Sequence, residues 1–201
     1  MKRNSFLFLT LILVIAAGFI PIAGLCNESS LIPIKMNKDT IKKRDLIVVR
    51  VFDAPVASVW KAWSDAEYVM KWWGPTGFTS PSCKMDFREG GTTLVCMRPP
   101  KEWGGPDMYN TWTWQKLVPL QYIEYIFDWA DKDGNRIDPG SLGLPPDMPK
   151  NAKHTVSFKD LGNGKTEMTM TEYGYISDEL YNLSKAGLEQ CLDKMAVAVR
   201  E

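Results

Sequence analysis

Two side chains in the C-terminal part of the chain could carry acid–base chemistry. Glu172 follows Met168 and Met170 at a spacing of two residues, which on a strand puts all three on one face and Glu172 at the rim of an apolar interior. His154, the only histidine, shares a predicted strand face with apolar residues two and four positions later. A carboxyl group in an apolar pocket has a raised pKa and can act as an acid or base. Glu172 and His154 are therefore candidate catalytic residues, although a buried histidine bonded to a backbone group is a simpler interpretation of His154.

Other strand carboxylates are predicted to be solvated. Between positions 122 and 129 every second residue is aromatic or aliphatic, so Glu124 and Asp128 are expected to face outward. Asp86 is predicted to point out and to pair with Arg88 or Lys84. One inward carboxylate placed by pattern alone is little evidence for catalysis, so the sequence favours a protein that performs no covalent chemistry.

Composition and motifs exclude several site classes. A single histidine and four cysteines without CxxC spacing supply no zinc ligand set, and no nucleophile elbow or glycine-rich phosphate loop occurs. The acidic segment Asp131–Asn135 lacks the glutamate that completes a calcium loop, so a plain turn is predicted. Lys plus Arg and Asp plus Glu both number 24, and without a basic stripe nucleic acid is a poor partner. No metal or cofactor is expected.

The positive evidence favours binding of a small apolar or aromatic ligand. Aromatic and methionine side chains exceed what a small core ordinarily needs, and methionine suits adaptable pockets. Gly187 falls inside a predicted helix, where it costs about 1 kcal/mol relative to alanine, which predicts close approach of that helix to a sheet or ligand. The alternative is that these side chains simply fill the core. The predicted cavity-lining residues are Trp60, Trp63, Trp72, Trp73, Trp112, Trp129, Phe127, Met168, Met170, Gly187 and Cys191.

The elements that would position these residues begin with a strand. Positions 46–52 are rich in β-formers, and Pro55 ends the strand and suits the first turn of a helix. Apolar residues at helical spacing then predict two short helices, which Gly74 and Pro75 terminate. These two helices carry Trp60, Trp63, Trp72 and Trp73.

Three hairpins and a long helix follow. The predicted strand pairs are 83–88 with 92–98, 108–117 with 121–130, and 154–158 with 166–173. Ser177 is a predicted N-cap with acidic residues after it. A single sheet cannot bury its own apolar face, so the long helix is expected to cover it. This arrangement predicts an α+β fold. The predicted buried side of this helix is Leu180, Leu183, Leu188, Cys191, Leu192, Met195 and Val199.

Two loop features bear on the site. If Glu89 and Gly90 form a two-residue loop, Cys83 lies opposite Cys96 and a disulfide is possible in an oxidising compartment; a three-residue loop breaks that pairing, and both would then be small apolar residues in the sheet. The proline-rich segment Asp131 to Ala152, with Pro99 to Pro106, is long enough to predict a lid over a cavity mouth.

Several motifs together resemble one superfamily. They are RVFDAPVASVWKAWSD from Arg50, WWGP from Trp72, DFREGG from Asp86, GKTEMTMTEY from Gly164 and GLEQCLDKM from Gly187. From about residue 45 to 199 the chain resembles the SRPBCC (START-like) superfamily, and within it the group named after the activator of heat-shock protein 90 ATPase, homologue 1-like. The resemblance implies a helix-grip fold, in which a curved antiparallel sheet wraps the C-terminal helix and leaves a cavity between them.

The N-terminus predicts export. Lys2 and Arg3 precede an apolar run from Phe6 to Ile22, and a basic stretch followed by an apolar stretch is typical of a secretory signal. Residues 1–26 are predicted to be a signal peptide or an N-terminal membrane anchor, with a lipoprotein at Cys26 as a third possibility. Residues 27–44 would be a linker and residues 45–201 the domain. Export argues against a cytosolic co-chaperone role.

Together these features predict an exported helix-grip domain that binds a small apolar or aromatic ligand. The first alternative is a cyclase- or hydrolase-like enzyme that uses a cavity carboxylate, Glu172, or His154. The second is a co-chaperone-like protein-interaction module with an exposed tryptophan patch. A protein partner cannot be named from the sequence.

Overall fold

The computed structural model describes residues 43–145 and 147–201. The predicted leader, and the predicted linker as far as residue 42, lie outside the described residues. Within the described ranges, none of the helices has the length and apolar character needed to cross a membrane. The strands are β1 Arg44–Phe52, β2 Cys83–Lys84, β3 Thr92–Met97, β4 Met108–Val118, β5 Tyr122–Ala130, β6 Ala152–Gly162 and β7 Lys165–Tyr175. The α-helices are α1 Val56–Ser64, α2 Ala66–Trp72 and α3 Asp178–Ala198.

The seven strands form one antiparallel sheet in the order β1-β7-β6-β5-β4-β3-β2. The helix α3 packs against α2, β1 and β7, so that the inner face of the sheet and the helix enclose one core. Ser177 caps α3 by accepting a hydrogen bond from the backbone N–H of Leu180. The predicted element order and the helix-grip fold are confirmed.

A tight turn and a β-bulge together set the register of the hairpin that carries both acid–base candidates. Asn163 and Gly164 have φ of 52° and 71°, the left-handed values that a two-residue type I′ turn requires. Gly162 pairs with Lys165 beside this turn, and the register then shifts by one residue between Asp160 and Gly162, so that His154 lies opposite Glu172. Because opposite residues in a sheet share a face, the turn and the bulge together bring the two candidates side by side.

The first hairpin differs from its prediction. Only Cys83 and Lys84 form β2, and Cys83 lies opposite Val95. Both Cys83 and Cys96 are free thiols, so this register replaces the predicted Cys83–Cys96 pairing. The physical reason is a wider loop: a Cβ on Gly91 would lie 2.3 Å from the carbonyl oxygen of Asp86. The chain therefore folds back on itself at Asp86 instead of continuing as a strand.

The predicted outward position of Asp86 is confirmed, since its carboxylate pairs with Arg88 at 3.0 Å. On α3 the predicted buried stripe is right except at Leu183, which is 43% exposed. Each residue turns an α-helix by about 100°, and Leu183 falls outside the arc that Leu180, Leu188 and Cys191 share. Position 184 lies on the buried arc in its place.

Candidate functional site

A row of polar side chains crosses the inner face of the sheet. Glu172 on β7 lies opposite His154 on β6, and His154 lies opposite Tyr125 on β5. All three are buried. The inward orientation predicted for His154 is therefore seen, and Glu172 lies deeper than the rim position that its pattern suggested.

An irregularity in β7 adds a fourth member to this row. Residues three apart on a regular strand face opposite sides, yet Tyr175 donates a hydrogen bond from its hydroxyl to the Glu172 carboxylate. The register explains this, because Arg44 pairs with Tyr175 while Leu46 pairs with Glu172. One residue of β1 thus faces two of β7, a bulge in which Gly174 takes a φ of 98°. The bulge turns Tyr175 back to the inner face.

Burial controls the charge state of Glu172. Desolvation raises the pKa of its carboxyl to about 7, and the hydrogen bond from Tyr175 opposes part of that rise. The pKa of the Tyr175 hydroxyl is raised by burial and by the nearby carboxylate, so it stays a donor. Glu172 can therefore gain or lose a proton near neutral pH, and it can bond a ligand group in either state.

His154 is uncharged for the same reason. Burial lowers the pKa of its imidazole to about 3. Its Nδ1 lies 3.1 Å from the hydroxyl oxygen of Tyr125, so its partner is a side chain rather than the predicted backbone group. Its ring stacks on Phe127 with 5.3 Å between centroids and 10° between planes. Of the two acid–base candidates, only Glu172 has a pKa suited to proton transfer near neutrality.

A cluster of tryptophans packs beside this polar row. Trp63, Trp72, Trp112 and Trp114 are fully buried. The centroids are 4.9 Å apart for Trp63 and Trp72, and 5.7 Å apart for Trp63 and Trp112. Tyr125 joins the cluster to the polar row, with its ring 5.6 Å from that of Trp112. Aromatic side chains therefore fill much of the space between the sheet and the helices.

Four other predicted lining residues belong to the same interior. Met168, Met170 and Cys191 are buried in the core, and burial raises the pKa of the Cys191 thiol to about 12, which keeps it protonated. Trp60 is half-buried and contacts Phe158 by its ring edge. These residues contribute apolar surface to the same interior.

Gly187 does not approach the sheet. A Cβ at this position would lie 3.8 Å from Pro75, an ordinary contact, so the predicted close approach to the sheet is not what the structure has. The loop it faces is held to α3 by other means: the Lys194 ammonium donates to the carbonyl oxygens of Gly74 and Phe78 at 2.9 and 3.0 Å. These bonds position Trp73, which precedes Gly74, on the inner side.

Open space lies at the surface near the end of β7. A depression of about 570 Å³ is lined by residues of 43–45, 147–153 and 173–176, and one of about 190 Å³ is lined by Arg44, Tyr175, Ile176, Ser177 and Asp178. None of the predicted lining residues borders either of these two. Tyr175 borders the smaller depression and also bonds Glu172, so one side chain separates the polar row from this opening.

Hydrogen bonds at two places hold the predicted lid, residues 131–152, to the domain. Where the lid leaves and rejoins the sheet, Asp128 accepts hydrogen bonds from the Arg136 guanidinium and the backbone N–H of Asn151. Farther along the lid, the Ser177 hydroxyl donates to the Asp147 carboxylate at 2.7 Å. Asp128 is consequently buried, and its predicted solvated position is wrong because the lid covers it. Between these hydrogen bonds, Ile137, Leu142, Leu144 and Met148 pack against the core.

Two other sequence predictions concern metals and calcium. Asp131 accepts hydrogen bonds from the backbone N–H groups of Asp133 and Asn135, which confirms the plain turn. Across residues 43–145 and 147–201, no three His, Cys, Asp or Glu side chains lie close enough to hold a metal ion.

Sequence reasoning missed Tyr125 and Tyr175 as site residues. Tyr125 could have been found, because it alternates inward with Ile123 and Phe127 on β5. Tyr175 could not, because its face depends on a bulge that the spacing alone does not reveal.

Comparison with known proteins supports the fold. The protein from Arthrobacter aurescens has 21% identity and a TM-score of 0.63, and the match covers 78% of this chain and 86% of that one. A Chromobacterium violaceum protein has 23% identity and a TM-score of 0.60, covering 78% and 97%. The AHSA1 protein from Silicibacter pomeroyi has 19% identity and a TM-score of 0.61, covering 78% and 98%. No curated protein matches the chain.

One family profile, described as "Activator of Hsp90 ATPase homolog 1-like protein", matches residues 53–200. That range begins directly after β1, ends two residues past α3 and includes every member of the polar row. The chain therefore belongs to the activator of Hsp90 ATPase homologue 1-like family, within the SRPBCC superfamily.

Proposed function

We propose that this domain binds a small apolar or aromatic molecule between the sheet and α3, and that Glu172 and Tyr175 anchor a polar group of that molecule. The observation that carries the proposal is a buried carboxyl in an aromatic interior whose hydrogen-bond partner is a single tyrosine. Such a carboxyl is costly to bury, and an aliphatic residue would stabilise the same position better. Strongly perturbed carboxyls inside apolar clefts cluster at functional sites.

The surroundings of Glu172 support an apolar ligand. The tryptophan cluster, Met168 and Met170 offer aromatic and adaptable surface around the polar row. Because these side chains touch one another, a ligand enters only if some of them move. The opening beside Tyr175 is the natural route, and the Ser177–Asp147 hydrogen bond is the contact that the lid must release there.

The proposal includes export and binding without covalent chemistry. Export is supported by the basic and apolar pattern of residues 1–26 alone. Catalysis is the rival within the same site, because Glu172 has a pKa suited to proton transfer. A catalyst would lose turnover when Glu172 is neutralised and keep its affinity, whereas an anchor would lose affinity.

The test uses purified protein and N-phenyl-1-naphthylamine, an aromatic amine whose fluorescence rises in apolar surroundings. We expect saturable binding, weakened roughly tenfold by Glu172→Gln because a hydrogen bond to a charged or acidic group is lost. Glu167→Gln is the matched control, since Glu167 lies on the same strand and pairs with Lys159 at 4.0 Å. The control should bind like the wild type.

Native mass spectrometry of protein purified from its own host provides the second arm. A mass beyond the polypeptide that denaturation releases would support the proposal and give the weight of the ligand. Protein that carries no added mass and shows no saturable probe binding would refute it.

A protein-interaction role is a second candidate, and one observation favours it. Ile47, Val49 and Val51 are 57%, 56% and 48% exposed on β1, an edge strand of the described sheet. Exposed apolar edge strands recruit a strand from another protein. The predicted tryptophan patch is absent from the described surface, where Trp103 is the one strongly exposed tryptophan. Val49→Lys should abolish such an interaction while leaving probe binding unchanged.

A further inference from the structure

Three buried N–H donors on the inner side of the described domain have no hydrogen-bond acceptor. They are Nε1 of Trp73, Nδ2 of Asn110 and Nε1 of Trp129, in residues that are 9%, 0% and 8% exposed. Buried polar groups are almost always bonded, and each unbonded one costs roughly 1–3 kcal/mol. Three in one domain call for an acceptor that the described residues do not supply.

The three donors belong to one neighbourhood. Asn110 on β4 lies opposite Trp129 on β5, so both side chains leave the same face of the sheet. Between Asn110 and Trp73 stands Trp112, whose indole N–H donates to Oδ1 of Asn110 at 3.0 Å. The ring of Trp112 lies 4.7 Å from that of Trp73. We call Trp73, Asn110 and Trp129 the donor cluster.

Trp112 also fixes which way the Asn110 amide faces. An indole N–H is a donor only, so the amide must present its oxygen to Trp112. The amide nitrogen is then the group left over, and its two hydrogens point to whatever else occupies the neighbourhood. The unbonded state of Nδ2 is thus imposed by chemistry and is not a matter of amide assignment.

The chemistry of the donor cluster selects an uncharged acceptor. All three groups are neutral, and the nearby charges, Asp128 and Arg136, pair with each other at 2.5 Å. The free energy needed to bury an anion without a counter-charge is far larger than the free energy gained from hydrogen bonds with neutral donors. A carbonyl oxygen has two lone pairs, so it can accept from two of these donors, and it has no charge to bury and a planar attachment that fits between aromatic rings.

We propose that the donor cluster binds the carbonyl oxygen of the ligand, which is therefore an aromatic carbonyl compound. This inference rests on the proposed function, because it assigns a chemical class to the molecule bound in the same interior. Along β5 the donor cluster at Trp129 and the polar row at Tyr125 are four residues apart, about 13 Å at ~3.3 Å per residue. The ligand therefore has two separate polar contacts, one at each end of an aromatic body.

The test compares two probes that differ only in the carbonyl group. They are 6-propionyl-2-(dimethylamino)naphthalene and its carbonyl-free counterpart, 6-propyl-2-(dimethylamino)naphthalene. We expect the wild-type protein to bind the ketone roughly ten- to a hundredfold more tightly, the effect of one or two buried hydrogen bonds. The infrared carbonyl band of the bound ketone should also move to lower frequency, as in a hydrogen-bonded ketone.

Variants locate the effect. Trp73→Phe and Trp129→Phe each remove one indole N–H of the donor cluster, and each should abolish most of the preference for the ketone. Trp103→Phe is the matched control, the same substitution at an exposed tryptophan, and should leave the preference intact. The infrared band of wild-type protein provides a readout that does not depend on the folding of any variant.

The outcomes separate this inference from the proposed function. Equal affinity for both probes, unchanged in the variants, would overturn the carbonyl assignment and leave the donor cluster as a site for bound water, while ligand binding stands. Failure of both naphthalenes and of N-phenyl-1-naphthylamine to bind would overturn the proposed function and the carbonyl assignment with it. Ketone preference lost only in the two cluster variants would support both.

Discussion

The two faces of the sheet carry the same pair of residues in opposite electrostatic conditions. On the outer face, the Tyr122 hydroxyl donates to the Glu124 carboxylate at 2.9 Å; on the inner face, Tyr175 donates to Glu172. The pKa of Glu124 is lowered, chiefly by its hydrogen bond to Lys153, whose Nζ lies 2.9 Å away. The pKa of Glu172 is raised by burial to about 7.

The difference shows which surroundings move the pKa of a carboxyl into the neutral range. A tyrosine donor is common to both pairs, so it cannot set the direction of the pKa shift. Water and a lysine keep Glu124 charged, as on an ordinary protein surface. Glu172 is buried and forms no ion pair with any described residue, so desolvation is the dominant cause of its shift, and that is the condition in which a carboxyl exchanges protons near neutral pH.

Replacing each glutamate with lysine should give the largest difference in stability loss between the two faces. Glu172→Lys buries an ammonium beside Tyr175 without an acceptor carboxylate, and we expect the free energy of unfolding to fall by about 4 kcal/mol. Glu124→Lys places two lysines on a hydrated surface and should cost about 1 kcal/mol or less. Urea denaturation at pH 7 measures both. Similar losses in the two variants would show that the inner face is hydrated.

The pH dependence of stability should have opposite signs on the two faces. The pKa of Glu172 rises from 4.5 in the unfolded chain to about 7 in the folded protein, so between these values the folded state holds a proton that the unfolded state has released. We compare the free energy of unfolding of the wild type with that of Glu172→Gln. The stabilisation that Glu172 contributes by this measure is fully present below pH 4.5. It is lost as pH rises through 7, a change of about 3 kcal/mol.

Glu124→Gln supplies the opposite sign. Because the folded pKa of Glu124 is lowered, its contribution is present above pH 4.5 and is lost as pH falls through the folded value. Urea denaturation of the wild type and both variants from pH 4 to 8 gives the differences directly. Parallel curves for the Glu172 variant and the wild type would contradict the assignment of a buried, protonated carboxyl.

Removing the tyrosine hydroxyls should have a smaller, graded effect. In Tyr175→Phe the Glu172 carboxylate loses the bond that stabilises its charged form, so its pKa should rise further and the protein should lose about 2 kcal/mol at pH 8. Tyr122→Phe should cost less than about 1 kcal/mol, since Lys153 remains. Carbon NMR titration of the glutamate side chains reports the pKa values. A fall in the Glu172 pKa would indicate that Tyr175 bonds the neutral form.

The smallest expected effect is the absence of a titration. Burial lowers the pKa of the His154 imidazole to about 3, so its ring proton resonances should not shift between pH 5 and 8. His154 is the only histidine in the chain, and its signals need no assignment by mutation. A midpoint near pH 6.5 would mean that water reaches the polar row.

Local rules predicted much of the fold and part of the site. Period-two alternation placed His154 inward, and the Asn163–Gly164 turn follows from residues that accept a left-handed backbone. Alternation failed at Asp128, because a lid segment that returns at Asn151 buries it. It also failed for Cys83, because the close contact between Gly91 and Asp86 widens the loop and moves the register by one.

Side-chain alternation, turn residues and helix caps act over a few positions, so the sequence alone predicts the element order and the inward face of most strands. The helix-grip fold was implied by the resemblance of several motifs to one family. The contact of Tyr175 with Glu172 and that of Tyr125 with His154 were visible only in the tertiary structure. Each of these contacts depends on a bulge or on the register between strands that are distant in the chain. Such contacts are set by the packing of the whole sheet against α3, which no short stretch of sequence encodes.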